Sequence, residues 1–331
     1  MQRIVYFDFL RGIAIIMVVC LHCIDYSAME GPVLNLFGVE FRNLLNAAVP
    51  LFLAISGYFM ANKKTDTPTA YKEFLKRQAV KVYIPMLVWS VPYLILAYLH
   101  RENSVTSWLL FFFGGFSIYY FIILIVQYYA LLPLMQKMGR SLRGGGVLAA
   151  VAISIACISC LEILLYVYRM EIPLIVYAGP FPLWIMFFVI GIYLRNHTVQ
   201  MKYVYPLVLL FFLLSVAESF VIMHCTGQVT GLGIKVFSFL FSLYFIIMLF
   251  ASPLQRYLTA RKDRFIVRSI AKVGEISFGI YLIHMLVNMV LNKLCGYHDF
   301  NFILVLTISI VVIVATMKLV PTSIRKYIGF S

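Results

Sequence analysis

Ten stretches of this chain are strongly apolar: about residues 7–27, 44–62, 82–99, 119–136, 147–166, 182–195, 203–223, 235–250, 275–294 and 302–320. No other feature limits the fold as much. The hydrocarbon core of a bilayer offers no water to an unpaired N–H or C=O, so a spanning segment must satisfy its own backbone. A run of about 20 apolar residues does so as a helix. Composition agrees, because the chain is 63% hydrophobic and 12% charged, against about 25% charged in soluble domains. The expectation is an all-α, polytopic integral membrane protein with about ten transmembrane helices and both termini cytoplasmic. It forms a single membrane-embedded domain over 1–331, with no soluble domain left over. The segment WLLFFFGGFSI at 108–118 is too short to span and predicts an interfacial or re-entrant piece. The N-terminal apolar stretch is long and lacks a small-residue cleavage site, so no cleavable leader is expected.

A net charge of +14 raises nucleic acid as a partner. Its distribution argues otherwise. Of the 27 Lys and Arg residues, 22 fall on the side that the span assignment makes cytoplasmic; Arg42, Arg101, Arg169, Lys235 and Lys293 are the five on the other side. That asymmetry is the positive-inside pattern of a membrane protein, with lipids rather than nucleic acid as its partners. Cys20/Cys23 and Cys157/Cys160 have CxxC spacing but sit in apolar helices, where cysteine behaves as a small hydrophobe. No metal site is expected.

The first helix, FDFLRGIAIIMVVCLHCID, carries Asp8, Arg11, His22 and Asp25. An ionisable group near the middle of a membrane helix costs about 2.5–3.5 kcal/mol, so such groups face protein or water. Arg11 and His22 are eleven residues apart. At about 100° per residue they share one face, about 16 Å apart along the axis. A permanent cation therefore stands near one surface, and a titratable imidazole lies about half a bilayer deeper. Asp8 is placed to pair with Arg11 at i, i+3. Arg11 is then either a snorkelling boundary cation or a guanidinium aimed at a phosphate or carbonyl. His22 is either a core histidine bonded to a neighbouring helix or a base held by Asp25.

Further along, Lys76, Arg77 and Lys81 lie in a basic loop, 63–81, and suit either lipid contact or a phosphate cradle. Pro85 marks where the next helix begins. Ser56-Gly57 in the second span allows close helix approach. In the ninth span Ser277, Tyr281 and His284 share one face, as a polar seam or part of a substrate tunnel. Gln127, Glu162 and Glu218 are polar residues in apolar helices with no partner assignable from sequence.

Three stretches, FDFLRGIAIIMVVCLH at 7–22, VPLFLAISGYFMANKK at 49–64 and SFGIYLIHMLV at 277–287, resemble acyltransferase family 3, the bacterial integral-membrane O-acyltransferases. YYFIILIVQYYALLPLM at 119–135 fits the fourth span of that family. The similarity covers nearly the whole chain and is strongest to members that acetylate enterobacterial common antigen. It implies transfer of an acyl group, acetyl above all, from cytoplasmic acyl-CoA to a sugar hydroxyl of a cell-envelope or extracellular polysaccharide. It further implies a bacterial inner-membrane location and no permanently bound cofactor, with acetyl-CoA as donor substrate. Arg11 and His22 match the essential pair of the family. Asp25 is assigned beside them as catalytic, and Asp8, Lys76, Arg77, Lys81, Ser56, Tyr281 and His284 as substrate-binding. The family often has Arg-x-x-Arg before the third span, where this chain reads KRQAVKVYIP with Lys81 in an arginine position. Buried charge suits a secondary transporter equally, but a transporter should show an internal repeat, and none is visible. A lipid-binding scaffold would explain the basic loops and leave His22 without a role.

Overall fold

Membrane-length apolar segments can close their own hydrogen bonds only as helices, and every regular element described is helical. The computed structural model describes residues 5–23, 32–102, 104–226, 234–296 and 301–330. In chain order the helices are α1 Val5–Cys23, α2 Pro32–Asn46, α3 Ala48–Met60, α4 Pro68–Gln78, α5 Ile84–Leu99 and α6 Ser104–Phe112. There follow α7 Tyr120–Ala130, α8 Leu132–Gly139, α9 Gly145–Glu162, α10 Leu174–Ala178, α11 Phe181–Asn196 and α12 Val204–Thr226. The chain ends with α13 Val236–Ala251, α14 Leu254–Ala260, α15 Phe265–Glu275, α16 Ser277–Cys295, α17 Asn301–Leu319 and α18 Thr322–Arg325.

Among the described residues, seven helical stretches are long and apolar enough to cross a membrane, and nine if two broken pairs each count as one span. The breaks fall at Leu131, between α7 and α8, and at Ser252-Pro253, between α13 and α14. Helix α11, at 16 residues, is apolar but shorter. The basic stretch 63–81 is not a loop throughout. Thr67 accepts a hydrogen bond from Ala70 N at 3.2 Å and Pro68 occupies the first turn, so a helix starts there. It continues through a π turn at Ala79–Tyr83 into α5, giving one helical stretch from Pro68 to Leu99. Pro85 explains the wide turn: its ring lacks an N–H and crowds the carbonyl of residue 81 in a regular helix, which the π turn relieves. The 108–118 segment forms the end of the nine-residue α6 and a turn at Gly114, where φ is +64°.

The helices gather into two compact units whose segments interleave along the chain. The first holds residues 1–62, 135–172 and 182–275; the second holds 63–134, 173–181 and 276–331.

In the first unit, α1 lies against α15 at backbone contact. A Cβ on Gly274 would fall 1.8 Å from Asp8 O, and one on Gly12 would fall 2.1 Å from Ile270 O. Helices α3 and α11 cross just as closely, with Gly57 against Phe188 O and Gly191 against Ala54 O, both at 2.1 Å for an added Cβ. Small residues permit such crossings where water-driven collapse is unavailable. Helix α11 is buried on every side from Leu183 to Ile192, which makes it the core of this unit. Phe7 of α1 packs on Tyr58 and Phe59 of α3 at ring distances of 4.4 and 5.2 Å. Tyr6 Oη donates to Leu249 O of α13 at 2.5 Å.

In the second unit, Tyr119 Oη donates to Leu282 O at 2.7 Å, tying α16 to the turn before α7. Trp89 Nε1 donates to Ile328 O at 2.9 Å, and its ring stacks on Phe330 at 5.6 Å, which fastens the C-terminal tail to α5. Gln127 has its partners here: Nε2 donates to Gly179 O at 2.8 Å and Oε1 accepts from Phe181 N at 3.1 Å.

The α1–α15 crossing leaves no room for a side chain. Gly274→Leu is expected to lower the unfolding midpoint of the purified protein, at a cost of at least about 1–3 kcal/mol for overpacking. Gly145→Ala, where the nearest neighbour of a new Cβ is 3.9 Å away, should leave the midpoint unchanged in the same thermal scan.

Candidate active site

Helix α1 runs unbroken from Val5 to Cys23, so the shared face and the axial separation of about 16 Å between Arg11 and His22 hold. Asp8 is 4% exposed, and its Oδ1 accepts from Arg11 Nη1 at 2.9 Å. The guanidinium also lies over the Phe59 ring, 4.9 Å from its centroid. A planar cation held by a carboxylate on one edge and an aromatic face beneath it has its orientation set. The Arg11 side chain is 32% exposed, so its outer edge reaches solvent. His22 sits half-buried in the last turn of α1. Asp25 lies outside the described residues. Helix α2 packs on this end of α1, where Leu45 meets Cys20 with Met17 and Leu21 alongside.

Ser56 belongs to the first unit as well and is half-buried on α3, next to the Gly57 crossing point. The remaining assigned residues belong to the second unit. Lys76, Arg77 and Lys81 are all exposed. Lys81 falls inside the π turn, so the α-helical i, i+4 alignment with Arg77 does not carry across it.

Ser277, Tyr281 and His284 are buried. Tyr281 Oη donates to Ile118 O. His284 Nδ1 lies 3.0 Å from both Ile280 O and Tyr281 O. A ring nitrogen facing two carbonyls carries the proton, which sets the tautomer of the neutral imidazole. With Tyr119 Oη bonded to Leu282 O, the two tyrosines join α16 to the 118–119 segment, while His284 bonds within its own helix.

The structure also places together residues that the sequence left apart. Lys235, fully buried, donates through Nζ to Ser219 Oγ. Ser219 donates in turn to Glu40 Oε1 at 2.5 Å, and that oxygen also accepts from Asn43 Nδ2 at 3.1 Å. Helix α13 starts at the next residue, and lysine, a donor only, cannot cap its own helix. Two carboxylates from other helices do so instead. Glu162 of α9 accepts from Val236 N at 3.2 Å, and Glu218 of α12 accepts from Phe237 N at 3.1 Å. They satisfy first-turn N–H groups that the helix itself leaves open. The one signal for this in the sequence was the presence of Glu162 and Glu218 in apolar helices. Glu40 and Lys235 carried none.

The described residues thus place a buried carboxylate against an arginine on one helix, with a histidine eleven residues further along it, in an all-helical protein with several membrane-length helices. The family model described as an acyltransferase domain, that of acyltransferase family 3, matches residues 4–319. The chain belongs to that family and is a membrane acyltransferase. Comparison with curated proteins and with solved structures gave no match.

Lys235 is the cation that Glu40, Glu218 and Glu162 surround. Removing one partner of a buried ion set costs about 3–5 kcal/mol. Lys235→Met should therefore strongly lower the denaturation midpoint in detergent. Adding Glu40→Gln to that variant should recover part of the loss, which a double-mutant cycle would read directly.

Proposed function

We propose that this acyltransferase takes an acyl group, acetyl above all, from cytoplasmic acyl-CoA and delivers it to a sugar hydroxyl of a cell-envelope or extracellular polysaccharide. The observation that carries the reading is the Arg11–His22 pair on one face of an unbroken helix. The pair spans the distance between a cytoplasmic donor and an acceptor nearer the outer surface.

The chemistry asked of these residues is general. Neutral His22 takes the proton of the acceptor hydroxyl, and the oxygen attacks the thioester carbonyl as that proton leaves. The C–S bond breaks, an ester forms, and the departing thiolate takes its proton from the imidazolium. Arg11 grips a donor phosphate or the polarised carbonyl with its fork. Asp25 orients the imidazole, Asp8 orients Arg11, and Lys76, Arg77 and Lys81 attract the anionic donor. Ser56, Tyr281 and His284 serve substrate binding. A route in which His22 carries the acyl group transiently uses the same residues and differs in leaving an acyl-imidazole that hydroxylamine cleaves.

The reading needs ten spans in a bacterial inner membrane with both termini inside. The seven long helices, the two broken pairs and the short buried α11 support that number. In this topology the 63–81 and 251–272 stretches face the cytoplasm, carrying twelve Lys and Arg residues.

His22→Ala should abolish acetyl transfer from labelled acetyl-CoA in proteoliposomes while membrane level stays the same; normal turnover would remove His22 from the mechanism. Arg11→Lys retains charge but loses the fork, and kcat/KM should fall by roughly tenfold or more. If Arg11 only marks topology, lysine should serve equally. Asp66→Cys and Glu102→Cys, in a background without native cysteines, should react with an impermeant thiol reagent from opposite sides. Labelling of Asp66→Cys from outside intact cells would invert the topology and dismiss cytoplasmic acyl-CoA as donor.

A further inference from the structure

Between the end of α13 and the start of α16 the chain folds as α14 and α15, and six cations fall there: Arg256, Arg261, Lys262, Arg264, Arg268 and Lys272. Asp263 and Glu275 are the acids of that stretch. None of the six cations makes an ion pair among the described residues. Arg261 is committed to the Tyr257 ring, with its guanidinium carbon 3.6 Å from the centroid. The other five are exposed.

Cations on one side of a membrane have a plain explanation, since they set topology, and number alone serves that purpose. Their arrangement on α15 goes further. One side of this helix is buried through Val267, Ala271 and Gly274, and Gly274 and Ile270 meet the α1 backbone at Asp8 and Gly12. Arg264, Arg268 and Lys272 follow at every fourth position, away from that buried side. Arg268 N donates to Arg264 O at 3.0 Å, so the helical row is continuous from Arg264. Its members stand about 6 Å apart along the axis. Like charges four residues apart destabilise a helix, and this row has no acid within it to offset the repulsion. Beside the row, Phe265 is 83% and Ile266 is 69% exposed. Setting topology requires neither the row nor the two apolar side chains. Cations interleaved with an aromatic and an aliphatic residue suit the headgroup level of a bilayer, where phosphates meet the charges and acyl chains meet the apolar groups.

We propose that the Arg264–Arg268–Lys272 edge of α15, with Phe265 and Ile266, is a docking surface for the headgroups of anionic phospholipids, and that lipid seated there stabilises the α1–α15 crossing. Phosphates between the cations remove the repulsion that works against the helix, and a stable α15 keeps its glycine face on α1. That the lipids are those of the cytoplasmic leaflet rests on the topology proposed above. An acidic protein segment could meet the charges, but lipid also supplies acyl chain to Phe265 and Ile266 in a protein that already lies in a bilayer.

The test uses the full chain in nanodiscs of phosphatidylcholine alone and of equal parts phosphatidylcholine and phosphatidylglycerol. Both leaflets of such a disc are alike, so the result is independent of topology and of acyl transfer. Native mass spectrometry reads the phosphatidylglycerol retained, and a thermal scan reads the unfolding midpoint. Wild type should retain that lipid and unfold at a higher temperature in the mixed discs. Arg264→Gln with Arg268→Gln should weaken lipid retention by about tenfold or more and lose the rise in midpoint. In phosphatidylcholine alone the same double variant should unfold no earlier than wild type, which separates lost docking from a damaged fold. Phe265→Ser, which keeps every charge, should also lower retention. Lys137→Gln with Lys202→Gln removes two exposed cations elsewhere in the first unit and should behave as wild type. If that control loses as much lipid as the α15 variant, net charge is the cause and there is no docking surface. If the α15 variant retains lipid as wild type does, the lipid assignment is overturned and an acidic protein segment takes its place. If phosphatidylglycerol leaves the wild-type midpoint unmoved, the stabilising of the α1–α15 crossing is overturned.

Discussion

The contact on which the candidate site depends is the backbone-to-backbone crossing of α1 and α15. Gly12 and Gly274 let two helices meet with no side chain between them, and dispersion between close backbones is what holds helices together where lipid is as apolar as protein. The crossing sits at Asp8, whose carbonyl faces Gly274. It therefore buries the carboxylate that pairs with Arg11 and sets the rotation of α1. Once that rotation is set, the Phe7 side meets the α3 aromatics and Arg11 settles over Phe59. Because α1 is continuous, His22 inherits its direction from the same contact eleven residues away.

Charge inside an apolar bundle imposes a second constraint, met in a different way. Lys235 is buried away from solvent and opens a helix it cannot cap. Glu162 and Glu218 meet the second need, accepting the first N–H groups of α13 beside the ammonium. Glu40 reaches the same lysine through the Ser219 hydroxyl. These bonds link α2, α9, α12 and α13 to one another. Helix α2 thereby gains a fixed register, with Leu45 placed against the His22 end of α1.

The second unit is organised by bonds from aromatic side chains to backbone carbonyls. Tyr119, Tyr281 and Trp89 each donate to a backbone carbonyl on another segment, while the His284 imidazole bonds within its own helix. Tyr71 does the same from the basic helix, donating to Ala130 O at 2.5 Å where α7 ends. The carbonyl freed by the break at Leu131 is thus used to hold α4, and the exposed cations of α4 follow from that placement.

Local properties of the sequence determined the class of fold and the core of the candidate site. Apolar runs of bilayer length required helices, and the eleven-residue spacing put Arg11 and His22 on one face, because helical periodicity needs no tertiary information. The i, i+3 pairing of Asp8 with Arg11 was legible for the same reason. Pro85 does not start a helix: the basic stretch before it is helix rather than loop, since the Thr67 cap starts the helix at Pro68 and a π turn absorbs the proline within one stretch to Leu99. Tertiary structure alone decided the partners of Gln127, Glu162 and Glu218, the burial of Lys235 and the seating of Arg195 on Tyr58. Glu162 and Val236 are 74 positions apart, and Arg195 and Tyr58 are 137 apart. No periodicity links positions so distant; only the packing of the helices brings donor to acceptor.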